Sequence, residues 1–101
     1  MPLQVEFHPL AADEAVAARD WYFEISASLA EAFEAELDRA LERVAAALGR
    51  WARHLHGTRG FLLHRFPYLV VYRQIDEQIQ IVAVQHAQRR PGYWRSRTES
   101  D

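Results

Sequence analysis

Residues 65–73 read Arg65-Phe66-Pro67-Tyr68-Leu69-Val70-Val71-Tyr72-Arg73, and residues 78–86 read Gln78-Ile79-Gln80-Ile81-Val82-Ala83-Val84-Gln85-His86. Both stretches are rich in β-branched and aromatic residues and end at turn-forming residues, a composition typical of strands. With the residues just upstream they predict three consecutive strands, Phe61–Phe66, Tyr68–Gln74 and Gln78–His86. Because the connections at Pro67 and Asp76-Glu77 are too short for a parallel crossover, these strands must pair antiparallel.

The last strand has apolar residues on both faces. Alternation places Ile79, Ile81 and Ala83 on one side. The other side receives Val82, Val84 and His86. This pattern predicts a central strand that is covered on both faces, or covered on one face and bound by a partner on the other.

The first half of the chain predicts one short strand and two helices. Gln4–His8 alternates polar and apolar residues and is followed by Pro9. Helical spacing then defines two apolar stripes, Ala11, Ala15, Ala18, Tyr22 and Ile25, and Leu29, Phe33, Leu37, Leu41, Val44 and Leu48. Ser28 and Glu31 have the spacing of a capping box for the second helix, and Gly49 is its predicted stop. The predicted fold class is therefore α+β, a helical hairpin packed on a small antiparallel sheet in the order β-α-α-β-β-β.

Composition narrows the possible classes of protein. With 101 residues, half of them hydrophobic, the chain is predicted to form a single domain over residues 1–101. It has no cysteine, which excludes disulfides and thiolate metal sites and fits the cytoplasm. No apolar run approaches the roughly 20 residues of a membrane span, and Met1–Gln4 does not begin a signal peptide. We expect no membrane association and no cofactor.

Charge is divided between the two halves of the chain. Residues 1–48 carry 10 acidic and 3 basic side chains, whereas residues 49–101 carry 4 acidic and 9 basic ones. The basic side chains are concentrated in a C-terminal tail at about residues 89–101, where Arg89, Arg90, Arg95 and Arg97 surround Tyr93 and Trp94. Basic aromatic segments bind nucleic acid or acidic protein surfaces. The Pro91-Gly92 pair predicts a loosely packed tail, in which Arg95 and Arg97 contribute little to stability; the alternative is that Tyr93 and Trp94 pack on the edge of the core.

A series of short motifs carries a family resemblance, namely Phe7-His8-Pro9, Trp21-Tyr22, Gly57-Thr58-Arg59, Arg65–Arg73 and His86–Trp94. In this order and spacing, over roughly Val5–Arg97, the chain resembles the RelE/ParE superfamily of toxins from type II toxin–antitoxin modules. The resemblance implies a small growth-inhibiting toxin, of the kind that stabilises plasmids. It also implies that a cognate antitoxin encoded beside it neutralises the toxin.

The superfamily divides into two activities. RelE-like members are ribosome-dependent mRNA endoribonucleases, a reaction that needs a base, an acid and cations around the phosphate. Many such enzymes carry lysines on the sheet and a tyrosine or a His-Tyr pair near the C-terminus. This chain has no lysine, and its last strand ends His86-Ala87-Gln88-Arg89. If it were a ribonuclease, the candidate catalytic residues would be Arg65, Arg73, His86 and Tyr93.

The His-x-x-Arg ending resembles ParE-like members, which inhibit DNA gyrase, and this branch is favoured. A RelE-like ribonuclease acting on the ribosome and mRNA, and a degenerate member that only binds antitoxin, are the alternatives.

Candidate binding residues follow from the same resemblance and from side-chain chemistry. The predicted target-binding residues are Arg59, Arg65, His86, Arg89, Arg90, Tyr93, Trp94 and Arg95. For Arg59, Arg65 and His86 a purely structural role, in ion pairs or hydrogen bonds, is the alternative. The predicted antitoxin-binding residues are Trp21, Tyr22, Phe33 and Leu37, because a hairpin with large aromatic side chains can receive a partner helix. For Trp21, Tyr22 and Phe33 a place in the core is the alternative. His54-Leu55-His56 lacks a third ligand at suitable spacing, so no metal site is predicted.

Overall fold

The computed structural model describes residues 4–46 and 54–99. Its helices and strands are β1 (Gln4–Phe7), α1 (Pro9–Ile25), α2 (Ala27–Ala46), β2 (Arg59–Leu62), β3 (Tyr68–Ile75) and β4 (Gln78–His86). Two short 3-10 turns cover Leu55–Gly57 and Arg95–Thr98. The predicted α+β class and the order β-α-α-β-β-β are confirmed. The predicted ends of the second helix, Leu48 and Gly49, lie outside the described residues.

The sheet has the strand order β1-β4-β3-β2. β2 pairs antiparallel with β3, and β3 pairs antiparallel with β4, as the short connections require. The prediction of a wholly antiparallel sheet is wrong at β1, which pairs parallel with β4 from Gln4↔Gln78 to Phe7↔Ile81. Since the whole helical hairpin separates β1 from the other strands in sequence, no short turn restricts its direction.

A single serine separates the two helices. Ser26 is extended, and its backbone N–H donates to the carbonyl oxygen of Tyr22 at the end of α1. Its side-chain Oγ accepts from the backbone N–H of Leu29 at 3.1 Å, which is the contact of a helix N-cap. The prediction of Ser28 as the capping residue is therefore wrong by two positions, because α2 begins at Ala27.

The helices pack on one face of the sheet. Tyr22 and Phe33 contact Phe66 and Tyr68 in a group of rings whose centroids lie 4.9–6.4 Å apart. Around it, the buried core contains Ala11, Ala18, Leu37, Ala40, Val44, Leu63, Val70, Tyr72, Ile79, Ile81 and Val84. Ile25, predicted on the apolar stripe of α1, is instead exposed at the end of that helix.

β4 contains a bulge that changes which side chains share a face. Val71 pairs with Ala83 and Tyr72 with Ile81, so Val82 is an extra residue opposite this step. Val84 consequently joins Ile79 and Ile81 in the core beneath the helices. Val82 and Ala83 pack with Val71 and Trp94 in a second cluster. The strict alternation predicted for this strand is therefore wrong beyond Ile81, although the prediction of a central strand covered on both faces is confirmed.

Candidate functional site

The outer edge of β4 has a strand neighbour along only half of its length. β1 ends at Phe7, opposite Ile81, and the next backbone N–H, that of His8, donates to the carbonyl oxygen of Ile81 at 2.9 Å. Beyond this point side chains replace the strand. The backbone N–H of Val84 donates to Glu14 Oε1 at 3.0 Å, and Arg97 Nη1 donates to the carbonyl oxygen of Val82 at 3.0 Å.

Glu14, from α1, connects this edge to the C-terminal tail. Its carboxylate accepts from both terminal nitrogens of Arg97 at 3.0 Å, a bidentate pair, and from the hydroxyl of Tyr93 at 2.6 Å. Arg89 Nη1 lies 3.6 Å from Glu14 Oε2. Burial raises the pKa of Tyr93, and its hydrogen bond to Glu14 raises it further, so the phenol stays protonated and donates at neutral pH. We call Glu14, Arg89, Tyr93 and Arg97 the Glu14 cluster.

The tail packs on the side of the sheet away from the main core. Trp94 is fully buried against Val71, Val82 and Ala83, and its indole N–H donates to Gln85 Oε1 at 2.9 Å. The side chain of Arg97 is only 9% exposed. The prediction of a loosely packed tail is therefore wrong for Trp94 and Arg97. Trp94 is fully buried and so cannot contact a target in this conformation. Arg97 stabilises the packing of the tail on α1 by its ion pair with Glu14.

Arg89 is the member of the Glu14 cluster that faces solvent. Its side chain is 55% exposed, and its guanidinium carbon lies 3.7 Å from the centre of the Tyr93 ring. It borders a groove of about 400 Å³ between α1 and the end of β4, which we call the Trp21 groove. The groove is lined by Glu14, Ala17, Ala18, Trp21, Tyr22, Tyr68, Val84, His86 and Arg89. It combines aromatic walls with a cation at its rim.

The structure brings some of the predicted target-binding residues together and separates others. His86 and Arg89 line the Trp21 groove, and the His86 ring meets the Tyr68 ring edge-on at 5.1 Å. Arg90 and Arg95 are exposed in the tail and do not line this groove, and Arg95 pairs with Glu99 at 3.0 Å. Two others lie on or after the far edge strand, namely Arg59 in β2 and the exposed Arg65 in the loop that follows it.

The four candidate catalytic residues of a ribonuclease do not form one set. Arg73 Nε donates to Gln80 Oε1 at 2.9 Å, and its Nη1 donates to the carbonyl oxygen of Thr98 at 3.1 Å, beneath the tail. His86 contacts Tyr68 on the face that carries the helices. Arg73 and His86 are thus on opposite faces of the sheet, and Arg65 is in the loop between β2 and β3.

Of the predicted antitoxin-binding residues, Trp21 alone is well exposed, at 61%, whereas Tyr22, Phe33 and Leu37 are core residues. Phe33 and Leu37 do form the floor of a shallow groove between α1 and α2, of about 180 Å³, beside the exposed Val16. Sequence reasoning missed the exposed side chains Val16 and Phe23 because they lie off the apolar stripe. An apolar residue on the polar side of a helix is the signal that would have found them.

The two histidines of the His54-Leu55-His56 segment pack against Trp94, with ring centroids 5.8 Å away in each case. Burial lowers the pKa of His54, and the nearby His56 lowers it further. Among residues 4–46 and 54–99, no group of three or more acidic or histidine side chains is placed to hold a metal ion. Within the same ranges no helix is long and apolar enough to cross a membrane.

Comparison with known proteins places the chain in a family. Residues 5–91 match the profile of the ParE toxin of the type II toxin–antitoxin system parDE. The chain belongs to the ParE toxin family. Its fold is similar to a solved chain of the chromosomal ParDE toxin–antitoxin system from P. aeruginosa, with a TM-score of 0.73 and 18% sequence identity over 85% of this chain and 97% of that one. No curated protein gives a significant match.

The family match and the Glu14 cluster overlap only in part. Glu14 and Arg89 lie inside the matched span, whereas Tyr93, Trp94 and Arg97 follow its last residue, 91. In this ParE-type toxin Glu14, a residue of the matched span, therefore binds Tyr93 and Arg97, which lie beyond that span.

Proposed function

We propose that this ParE-type toxin inhibits DNA gyrase in the cytoplasm and that the antitoxin encoded beside it blocks this activity. The observation that carries the proposal is the Trp21 groove, where the exposed cation Arg89 and His86 lie beside aromatic side chains. The chain's membership of a family of toxins supports it further. A basic rim of this kind favours an acidic protein surface or DNA bound to one. The separation of Arg73 from His86 supports gyrase over mRNA cleavage.

The geometry of the same groove supports neutralisation by an antitoxin helix. Trp21 and Arg89 both line it, so an amphipathic antitoxin helix seated on Trp21 would also cover Arg89. The shallow groove over Phe33 and Leu37 would extend the contact along the helical hairpin. One partner can therefore bind the helices and hide the target-binding cation at the same time.

The target is tested by inducing the toxin in cells and measuring plasmid supercoiling and mRNA cleavage separately. We expect loss of negative supercoiling, with no codon-specific cuts in primer extension on translating ribosomes. Replacing Arg89 and Arg90 together by alanine should weaken growth inhibition and gyrase inhibition while antitoxin binding persists, because exposed cations act mainly on encounter with the target. Codon-specific cuts that disappear in Arg65→Ala would instead support a RelE-like ribonuclease.

The antitoxin surface is tested separately with Trp21→Ala. Large exposed aromatic residues often dominate binding, so this variant should lose about tenfold or more in affinity for the antitoxin. It should also escape neutralisation in cells. Leu10→Ala is the matched control, since Leu10 is an exposed apolar residue in the first turn of the same helix. Equal affinity losses in the two variants would contradict the assignment of Trp21.

A further inference from the structure

Beyond the family-matched span, the described part of the tail, residues 92–99, has no helix or strand longer than the four residues of Arg95–Thr98 to hold it. Its backbone is closed by turn contacts, such as Arg95 N–H to the carbonyl oxygen of Gly92 and Arg97 N–H to that of Trp94. Its connections to the rest of the molecule are made chiefly by side chains. Trp94 fixes it to the sheet by packing, and Glu14 fixes it to α1 by charge.

Glu14 uses both carboxylate oxygens at once. Oε1 accepts from the Val84 backbone and from Arg97, while Oε2 accepts from Tyr93 and from the second nitrogen of Arg97. One anion thus holds the Tyr93 hydroxyl and binds the Val84 N–H in the uncovered half of the β4 edge, where Arg97 binds the carbonyl oxygen of Val82. Because the carboxylate is largely buried, these contacts are weakly screened by solvent.

The position of Arg89 depends on the Tyr93 ring, but Arg89 makes no hydrogen bond to Glu14. Its guanidinium stacks on the Tyr93 ring at 3.7 Å, whereas its nitrogen is 3.6 Å from Glu14, longer than a hydrogen bond. Arg97 takes the close bidentate contact. A target anion can therefore approach Arg89 while Glu14 remains neutralised by Arg97.

We infer that Glu14 is a positioning residue of this toxin: it holds the Tyr93 ring in place, so that the guanidinium of Arg89 is presented at the rim of the Trp21 groove. Glu14 acts through Arg89 and does not itself contact the target. The role of Arg89 in this inference rests on the proposed function, whereas the anchoring of the tail by Glu14 does not.

The test compares Glu14→Gln with the wild type by amide hydrogen exchange and by potency of inhibition. Glutamine keeps an oxygen for Val84 but loses the charge that binds Arg97. Amides of residues 93–99 should exchange about tenfold faster or more, because the tail then opens locally, while those of β3 and β4 away from this edge are unchanged. Inhibition of gyrase should weaken by about tenfold, since a mobile Arg89 is no longer preorganised. Glu31→Gln, an exposed glutamate on α2, is the matched control and should match the wild type in both measurements.

A double-mutant cycle separates positioning from a direct contact. In an Arg89→Lys background, Glu14→Gln should weaken inhibition by less than about twofold, because the guanidinium that Glu14 presents is already gone. The same factor in both backgrounds would mean that Glu14 acts independently of Arg89, which overturns the inference. Unchanged tail exchange in Glu14→Gln would overturn it as well.

If Glu14→Gln does not fold, Tyr93→Phe replaces it, because phenylalanine keeps the ring beneath Arg89 and removes only the hydroxyl that donates to Glu14. Faster tail exchange with weaker inhibition in Tyr93→Phe supports the inference, and no change in either overturns it. If the wild type does not inhibit gyrase, the proposed function fails. The inference about Glu14 is then tested by tail exchange and by growth inhibition, each compared between the wild type and Glu14→Gln.

Discussion

Two tryptophans, Trp94 and Trp21, lie at opposite extremes of burial. Trp94 is enclosed by the sheet and hydrogen-bonded to the buried Gln85, whereas Trp21 faces solvent from α1. Trp94→Ala should lower the free energy of unfolding by about 3–5 kcal/mol, the usual cost of removing a large buried aromatic side chain. Trp21→Ala should change it by less than about 0.5 kcal/mol. Urea denaturation of both variants measures the difference, and similar values for the two would contradict the packing described for the tail.

His54 makes stability depend on pH. Burial lowers its folded-state pKa below the ordinary value of 6.5, so the unfolded chain binds the proton first as the pH falls. The stability contributed by neutral His54 is therefore present above about pH 6.5 and is lost as the pH falls through the folded-state pKa. Melting temperatures at pH 7.5, 6.5 and 5.5 should fall less steeply for His54→Gln than for the wild type. Equal slopes for His54→Gln and the wild type would contradict a lowered pKa for His54.

The junction between α1 and α2 depends on a single capping side chain. Ser26→Ala removes the oxygen that accepts from the Leu29 backbone, and we expect a loss of about 1 kcal/mol in the free energy of unfolding. Ser28→Ala is the informative comparison, since Ser28 lies inside α2 and its Oγ lies 3.2 Å from that of Ser26. A larger loss for Ser28→Ala than for Ser26→Ala would restore the capping box that the sequence predicts.

At the level of helices and strands, local pattern is sufficient for β4, which begins and ends at the predicted residues Gln78 and His86 after the predicted turn at Asp76-Glu77. The predicted strand Phe61–Phe66 is wrong in its bounds, because β2 covers Arg59–Leu62 and residues 63–67 form a loop that ends at Pro67. The bulge at Val82 was not predictable, because an extra residue in an otherwise continuous apolar strand leaves no mark in its composition. The parallel pairing of β1 was likewise open, since nothing local relates Val5 to Ile79.

On the scale of the whole molecule, the exposed apolar side chains of α1 predict stabilisation by the partner. Any protein that binds only the folded state stabilises it, by about 2.7 kcal/mol at a free concentration 100 times its Kd. Adding the purified product of the adjacent gene should therefore raise the melting temperature of the toxin. Trp21→Ala should reduce this increase, and Leu10→Ala should not. An unchanged melting temperature in the presence of excess partner would contradict the antitoxin proposal.

The candidate site is only partly predictable from the sequence, because some of its residues are far apart along the chain. Arg89 and His86 were found because a basic aromatic sequence and a strand end are local features. Glu14 was not found, because it is one of many acidic residues on the two helices. A run of acidic residues on a helix usually indicates a face exposed to solvent. Its role depends on partners 70 to 83 residues away, and no local pattern encodes a contact of that range.

The bond between Glu14 and Arg97 also has a consequence for the order of folding. Its two residues are separated by 83 positions, and loops of that length close late because their entropy must be lost before the contact is gained. During synthesis, α1 and α2 leave the ribosome long before Arg97 does. Until then the carbonyl oxygen of Val82 lacks the Arg97 side chain that binds it, and Glu14 lacks its bidentate partner. The ordered tail thus forms only after Arg97 has been translated. If the antitoxin binds at Trp21 as proposed, it has an interval in which to meet the helical hairpin before Arg89 is in place.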